Sequence, residues 1–252
     1  MKTLEKSITA LTKLHVEMQV PATFFIVGKT LKMGKNILRR LKEHEDLFDI
    51  QQHTFSHLPL KTINPKSDLA AVTNDYDVIA PSISKIRSEI KKTSELLLDL
   101  LDVECKGIRG PWGYYQGLLG RPQVLEILSE NGIEFSSTYL RNKDDFFPVP
   151  LSVQPFFYTD EGFPKILEIP AQDWIDCVWR TVNGWGRNKA FASHISSVIK
   201  KLSRDTIWGT CFHDWSVISN DPELDIMRSM FEKASEMKIK INSYGRYYQE
   251  RN

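Results

Sequence analysis

Apolar residues recur at Leu4, Ile8, Leu11, Leu14 and Val16 and then run together in Pro21-Ala-Thr-Phe-Phe-Ile-Val-Gly28. That pattern predicts a helix, a proline, and a buried strand closed by glycine. A basic helical stretch is expected from about 31 to 45, followed by a short strand, Phe48–Gln52, running straight into His53. Between Ile83 and Leu101 apolar residues return every three or four positions among lysines and glutamates, as on an amphipathic helix. Gly107-Ile-Arg109 reads as a strand end. Helical patterns over 123–129, 190–202 and 223–237 then alternate with strand candidates over 133–139, 166–169 and 206–212. This alternation predicts an α/β fold, a largely parallel sheet or a barrel with helices outside, whose reactive groups gather at the C-terminal ends of the strands. No repeat or linker interrupts it, so 1–252 is expected to form one domain.

Composition narrows the class of function. With 41% hydrophobic and 26% charged residues the chain is a folded globular protein, and a formal charge of +1 supplies no field that gathers nucleic acid or anionic lipid. Neither nucleic acid nor membrane insertion is expected. Cys105, Cys177 and Cys211 are far apart in sequence and are expected to be reduced thiols. The N-terminal segment lacks a signal-peptide core, and no run of about 18 apolar residues occurs, so the chain as written reads as cytoplasmic.

Three short segments could carry chemistry. His53-Thr-Phe-Ser-His57 places two imidazoles four residues apart, which on a helical turn would face one way and hold one metal ion. Arg109-Gly-Pro-Trp-Gly113 follows a strand, where an arginine can orient a carboxylate and turn amides can bind an oxyanion. Cys211-Phe-His213 ends the last strand candidate with a possible general acid or base, and Asp173 is the carboxylate expected to raise its pKa. The six tryptophans all lie between Trp112 and Trp215; Trp112, Trp174 and Trp215 fall near these segments and are candidate sugar-stacking faces, although such residues often only fill cores.

In this order the segments resemble the polysaccharide deacetylase family, also called the NodB-homology domain or carbohydrate esterase family 4. Pro21 to Gly28 resembles its second core strand and His53-Thr-Phe-Ser-His57 its metal motif. Arg109-Gly-Pro-Trp112, Gln172-Asp173-Trp174 and Cys211-Phe-His213 resemble its arginine, Asp-Trp and histidine motifs, with cysteine replacing leucine in the last. The resemblance implies a distorted (β/α) barrel and hydrolysis of an N-acetyl or similar amide on a sugar or polysaccharide. It also implies a divalent metal, zinc above all, held by His53 and His57. In that scheme His213 protonates the leaving amine, Arg109 orients a base, Asp173 tunes His213, and Trp112, Trp174 and Trp215 meet the substrate. One family feature is missing: the first strand, with its Asp-Asp-Gly end, which supplies a metal ligand and the base. The first aspartate here is Asp46, so the expected barrel lacks its first strand. Truncation is the favoured reading of that gap, because open backbone edges are a liability. The alternatives are a carbohydrate-binding pseudoenzyme and an amidohydrolase acting on a small amide or ureide.

Overall fold

The apolar runs assemble into one six-stranded sheet in the computed structural model, which describes residues 2–251. The strands are β1 (Ala22–Ile26), β2 (Phe48–Gln52), β3 (Gly107–Tyr115), β4 (Phe135–Arg141), β5 (Phe156–Tyr158) and β6 (Phe163–Glu168). Their spatial order is β1-β2-β3-β4-β6-β5, parallel throughout except for β5, which pairs antiparallel with β6. Ten helices accompany them among the described residues: α1 (Lys2–Met18), α2 (Gly28–Leu38), α3 (Ser67–Thr73), α4 (Ile83–Leu101), α5 (Pro122–Glu130), α6 (Asp176–Asn183), α7 (Asn188–Ile199), α8 (Asp214–Asn220), α9 (Asp225–Glu236) and α10 (Tyr244–Gln249). None is long and apolar enough to cross a membrane.

The helix on 83–101 forms as its periodicity predicts. The Ser82 hydroxyl caps its N-terminus by accepting from the Lys85 amide, and Asp102 ends it in the left-handed conformation. Ile86, Ile90, Thr93, Leu97 and Leu101 make its buried face and join the main core with Leu31, Leu38, Ile108, Leu125 and Leu128. Each such isoleucine or leucine contributes about 1.5–3 kcal/mol by leaving water. The basic stretch is shorter as an α-helix than its composition suggests. It departs from helical geometry at Gly34, ends at Leu38, and continues as a 3-10 turn over Arg39–His44.

One buried carboxylate ties β4, β5 and β6 together. Glu168, fully buried, accepts from the Thr138 and Tyr139 amides at 2.6 and 2.7 Å. It also accepts from the hydroxyls of Ser136, Thr138 and Tyr158 at 2.5, 2.8 and 2.6 Å.

The strand expected over 206–212 does not form; the segment is extended but joins no ladder. Glutamine side chains take the bonds a neighbouring strand would make. The Ile207 amide donates to Gln154 Oε1 at 2.8 Å, the Ile207 carbonyl accepts from Gln172 Nε2 at 2.9 Å, and the Gly209 amide donates to Gln172 Oε1 at 2.7 Å. Glycine is required at 209, because a Cβ there would stand 2.1 Å from the Pro170 carbonyl oxygen. The sheet therefore stays open. β1 pairs only with β2, and its other side, Ala22 to Val27, lines a cavity of about 950 Å³ whose facing wall includes Ile207 to Trp215.

Candidate functional site

The candidate residues meet in that cavity. His53 and His57 do not sit on a helical turn as expected. They occupy an irregular loop after β2 in which Thr54 and His57 have φ of 55° and 61°. This loop replaces the helix because neighbouring elements claim its backbone. The Gly28 and Lys29 amides at the start of α2 donate to the Thr54 and Phe55 carbonyls at 2.9 and 2.8 Å, and the Ser56 amide donates to the α4 carboxylate of Glu89 at 2.6 Å.

The loop still brings the two imidazoles together, edge-on, with ring centroids 4.8 Å apart. His53 Nδ1 lies 2.7 Å from the Arg109 carbonyl oxygen. A carbonyl can only accept, so Nδ1 carries the proton and Nε2 keeps its lone pair, the arrangement of a metal-ligating histidine. Burial, helped by the charge of His57, holds the His53 pKa well below the ordinary value, and burial with the charge of His213 lowers that of His57. Both rings are thus neutral near pH 7, which coordination requires. The pair fits a divalent cation in donor type and protonation. No third imidazole, thiol or carboxylate joins it in a three-ligand group among the described residues.

Arg109 is the third residue of β3, buried between the Phe25 and Tyr244 rings. Its Nη2 donates to Tyr244 Oη at 2.7 Å, whereas Nε and Nη1 are buried with no hydrogen-bond partner. Trp112, three residues on, adopts φ 73° and is held there by Arg141, whose Nε donates to the Trp112 carbonyl at 3.0 Å while its guanidinium also pairs with Asp75. A left-handed tryptophan followed by Gly113 at φ 68° is a locally strained irregularity within β3, where the register with β4 shifts between Arg109 and Tyr114. The Trp112 indole, 41% exposed, stands 6.0 Å from His57.

His213 is the cap residue of α8, and its carboxylate partner is Asp176, not Asp173. Asp176 Oδ1 accepts a hydrogen bond from His213 Nδ1 at 2.7 Å, and Oδ2 accepts from the His213 amide at 3.1 Å. Asp173 instead stands 2.5 Å from Nε2 of His194 on α7. The two aspartates are three residues apart, Asp173 before α6 and Asp176 its first residue, and the turn between them sends one toward His194 of α7 and the other toward His213. Burial disfavours the His213 imidazolium, but the charge and hydrogen bond of Asp176 outweigh it and hold the pKa well above the usual 6.5. By linkage this group contributes stability that is complete below about pH 6.5 and lost as pH rises through its elevated folded value. Replacing Asp176 by Asn removes the opposing charge and leaves burial dominant. The imidazole titration of His213, followed by NMR, is then expected to move from above 6.5 to below it. An unchanged midpoint would show that the carboxylate is not the cause.

The tryptophans divide. Trp174 is half-buried and packs against Phe146 and α6 residues. Trp215 is 46% exposed, lies 5.7 Å from His213, and stacks on Trp185 at 6.0 Å and 30°. Trp185 was not singled out by sequence, although its setting in Gly184-Trp-Gly186, with both glycines at positive φ, is the mark of an aromatic carried on a turn rather than in a core. Asp176 and His194 were missed for another reason: nothing local distinguishes them from neighbouring polar residues.

Comparison with known proteins bears on this geometry. A family model described as polysaccharide deacetylase matches residues 4–136, more than half of the chain. No curated protein matches. Among solved structures, a polysaccharide deacetylase-type protein of Mycobacterium smegmatis is similar at 15% identity, TM-score 0.68, covering 98% of this chain and 77% of that one. An allantoinase is similar at 14% identity and TM-score 0.70, covering 96% and 71%. A family 4 carbohydrate esterase pseudoenzyme of Bacillus anthracis matches at 11% identity and TM-score 0.57, covering 97% of this chain and 61% of that one. A mutant of that pseudoenzyme with restored enzymatic activity matches at 11% identity and TM-score 0.60, covering 97% and 63%.

Proposed function

Since the chain belongs to the polysaccharide deacetylase family, we propose that it is a metal-dependent hydrolase of carbon–nitrogen bonds acting by N-deacetylation of an acetylated amino sugar or polysaccharide. The observation that carries this reading is the convergence of a neutral histidine pair, a buried arginine with unpartnered donors, and an Asp-held histidine in one cavity at the C-terminal side of the sheet. His53 and His57 would hold the divalent metal, whose chemistry when bound is to polarise an amide carbonyl and supply activated water. His213 keeps its proton near pH 7. With Nδ1 committed to Asp176, its Nε2 is the atom that delivers a proton to a departing amine. The Trp112 amide, in a segment held by the Arg141 bond to the Trp112 carbonyl, would donate to a developing oxyanion. Arg109 offers Nε and Nη1 to a carboxylate, the group a general base requires.

The stacked Trp185 and Trp215 give a sugar ring a flat apolar surface beside His213. Trp215→Ala and Trp185→Ala are each expected to raise the KM for an N-acetylglucosamine oligomer by about threefold to tenfold with little change in kcat, the value of one aromatic contact. Trp174→Ala should lower stability instead.

Acetate release from that oligomer in the presence of zinc, abolished by His53→Ala together with His57→Ala, tests the assignment. A second reading has its own observation: among the described residues no carboxylate reaches Arg109 Nε or Nη1. A carbohydrate-binding pseudoenzyme would bind the oligomer and release nothing. Hydrolysis of a small amide or ureide with no action on the sugar would point to the third reading, which the likeness to an allantoinase makes worth including.

A further inference from the structure

A second cluster of ligating atoms stands at the edge of the cavity, where the start of α6 meets His213. Asp176, Cys177 and His213 each present one, and these atoms all lie within 4.8 Å of one another. We propose that they form a separate site for a soft or borderline divalent cation, Zn²⁺ or Cd²⁺ in type, whose occupancy removes His213 from proton transfer.

Consecutive residues of α6 supply the first two ligands. The Asp176 side chain is only 1% exposed and already fixed by the His213 amide, and the Cys177 sulfur lies within 4.8 Å of a His213 ring nitrogen. Ligand atoms around a tetrahedral zinc, at about 2.0–2.3 Å from the ion, stand about 3.3–3.8 Å apart. From 4.8 Å, closure takes a contraction of about 1 Å, which side-chain rotation provides. One thiolate, one imidazole and one carboxylate suit zinc or cadmium and disfavour magnesium or calcium, which want oxygen alone. The donor set also separates this site from His53 and His57, which offer nitrogen only. Cys177 lines the cavity, so the ion has a path in.

Binding is a proton exchange without redox change. The cation forms bonds to Cys177 sulfur, a nitrogen of His213 and an Asp176 oxygen; the thiol proton leaves to solvent, as does the proton on the coordinating nitrogen. The hydrogen bond between His213 Nδ1 and Asp176 is replaced by the metal bonds. A coordinated His213 no longer delivers a proton, a consequence that rests on the function proposed above: turnover should rise and then fall with metal concentration.

The binding claim is tested apart from activity, by titrating the full chain with Cd²⁺ and following the ultraviolet cadmium–thiolate charge-transfer band. The expected result is a saturable band that persists in Cys211→Ser and in the His53→Ala, His57→Ala double variant. In Cys177→Ser it should be lost, with affinity down by more than the about 10- to 100-fold that outer-shell substitutions cost. On the unsubstituted chain, which avoids any folding defect of a variant, Cd²⁺ should protect Cys177 from iodoacetamide as mapped by mass spectrometry. No band, a band that follows Cys211 or the histidine pair, or an unprotected Cys177 would overturn the site. A band on Cys177, together with no acetate release at any zinc concentration when Cd²⁺ is left out, would leave this site standing and defeat the deacetylase reading.

Discussion

Fusing a β-strand that ends in Asp-Asp-Gly ahead of α1 is expected to raise acetate release from an N-acetylglucosamine oligomer by about 100- to 10,000-fold, the usual worth of a general base. Three features of the site point the same way. The free side of β1 faces a cavity of about 950 Å³, room for an extended segment whose backbone would pair with Ala22 to Val27. Arg109 holds two buried donors with no partner, so a carboxylate arriving there gains a charged contact without displacing another. His53 and His57 form an all-neutral pair, and an anionic co-ligand would lower the cost of placing a dication beside Arg109 and the protonated His213. Zinc affinity and turnover should therefore rise together. A matched fusion ending in Asn-Asn-Gly separates the two contributions: it should still pair with β1 and raise the melting temperature, yet leave the rate where it was. If the acidic strand binds zinc no better and yields no acetate while the original chain binds the sugar, the pseudoenzyme reading takes over.

Glu168→Ala is expected to cost about 4 kcal/mol of folding stability, seen as a fall of about 10 °C in Tm for a chain of this size. Two backbone amides and three hydroxyls converge from β4 and β5 on this carboxylate of β6. Deleting it leaves all of them buried without an acceptor. Unmade bonds of this kind cost about 1–3 kcal/mol each, but water entering the space left by the side chain recovers part, so the penalties do not simply add. Glu168→Gln keeps one oxygen in place and should lose about 1–2 kcal/mol. Equal losses for the two variants would mean that charge rather than acceptor count matters, and a loss below about 1 kcal/mol for Ala would show the network to be dispensable.

Both variants probe features that differ in how far the chain announces them. Local periodicity alone determines most of the elements. The helix expected over 83–101 is α4 itself, and Phe48–Gln52 is β2, because a 3.6-residue or continuous apolar pattern needs only one buried face to form. The alternation of strand and helix likewise determines the parallel sheet, and the order of short motifs determines the family. What tertiary structure alone decided is which polar atoms find each other across long stretches of chain. The segment 206–212 has a strand's composition, yet Gln154 and Gln172, 53 and 35 residues from Ile207, satisfy its backbone, and no ladder forms. His53 and His57 have helical spacing, but amides of α2 and a carboxylate of α4 draw their loop out of a helix. Asp173 and Asp176 are equally acidic and three residues apart, and only the course of the chain around the start of α6 sends Asp176 to His213 and Asp173 to His194. A hydrogen bond is decided by a few tenths of an ångström and a direction in space, neither of which a one-dimensional pattern of apolar and polar positions contains.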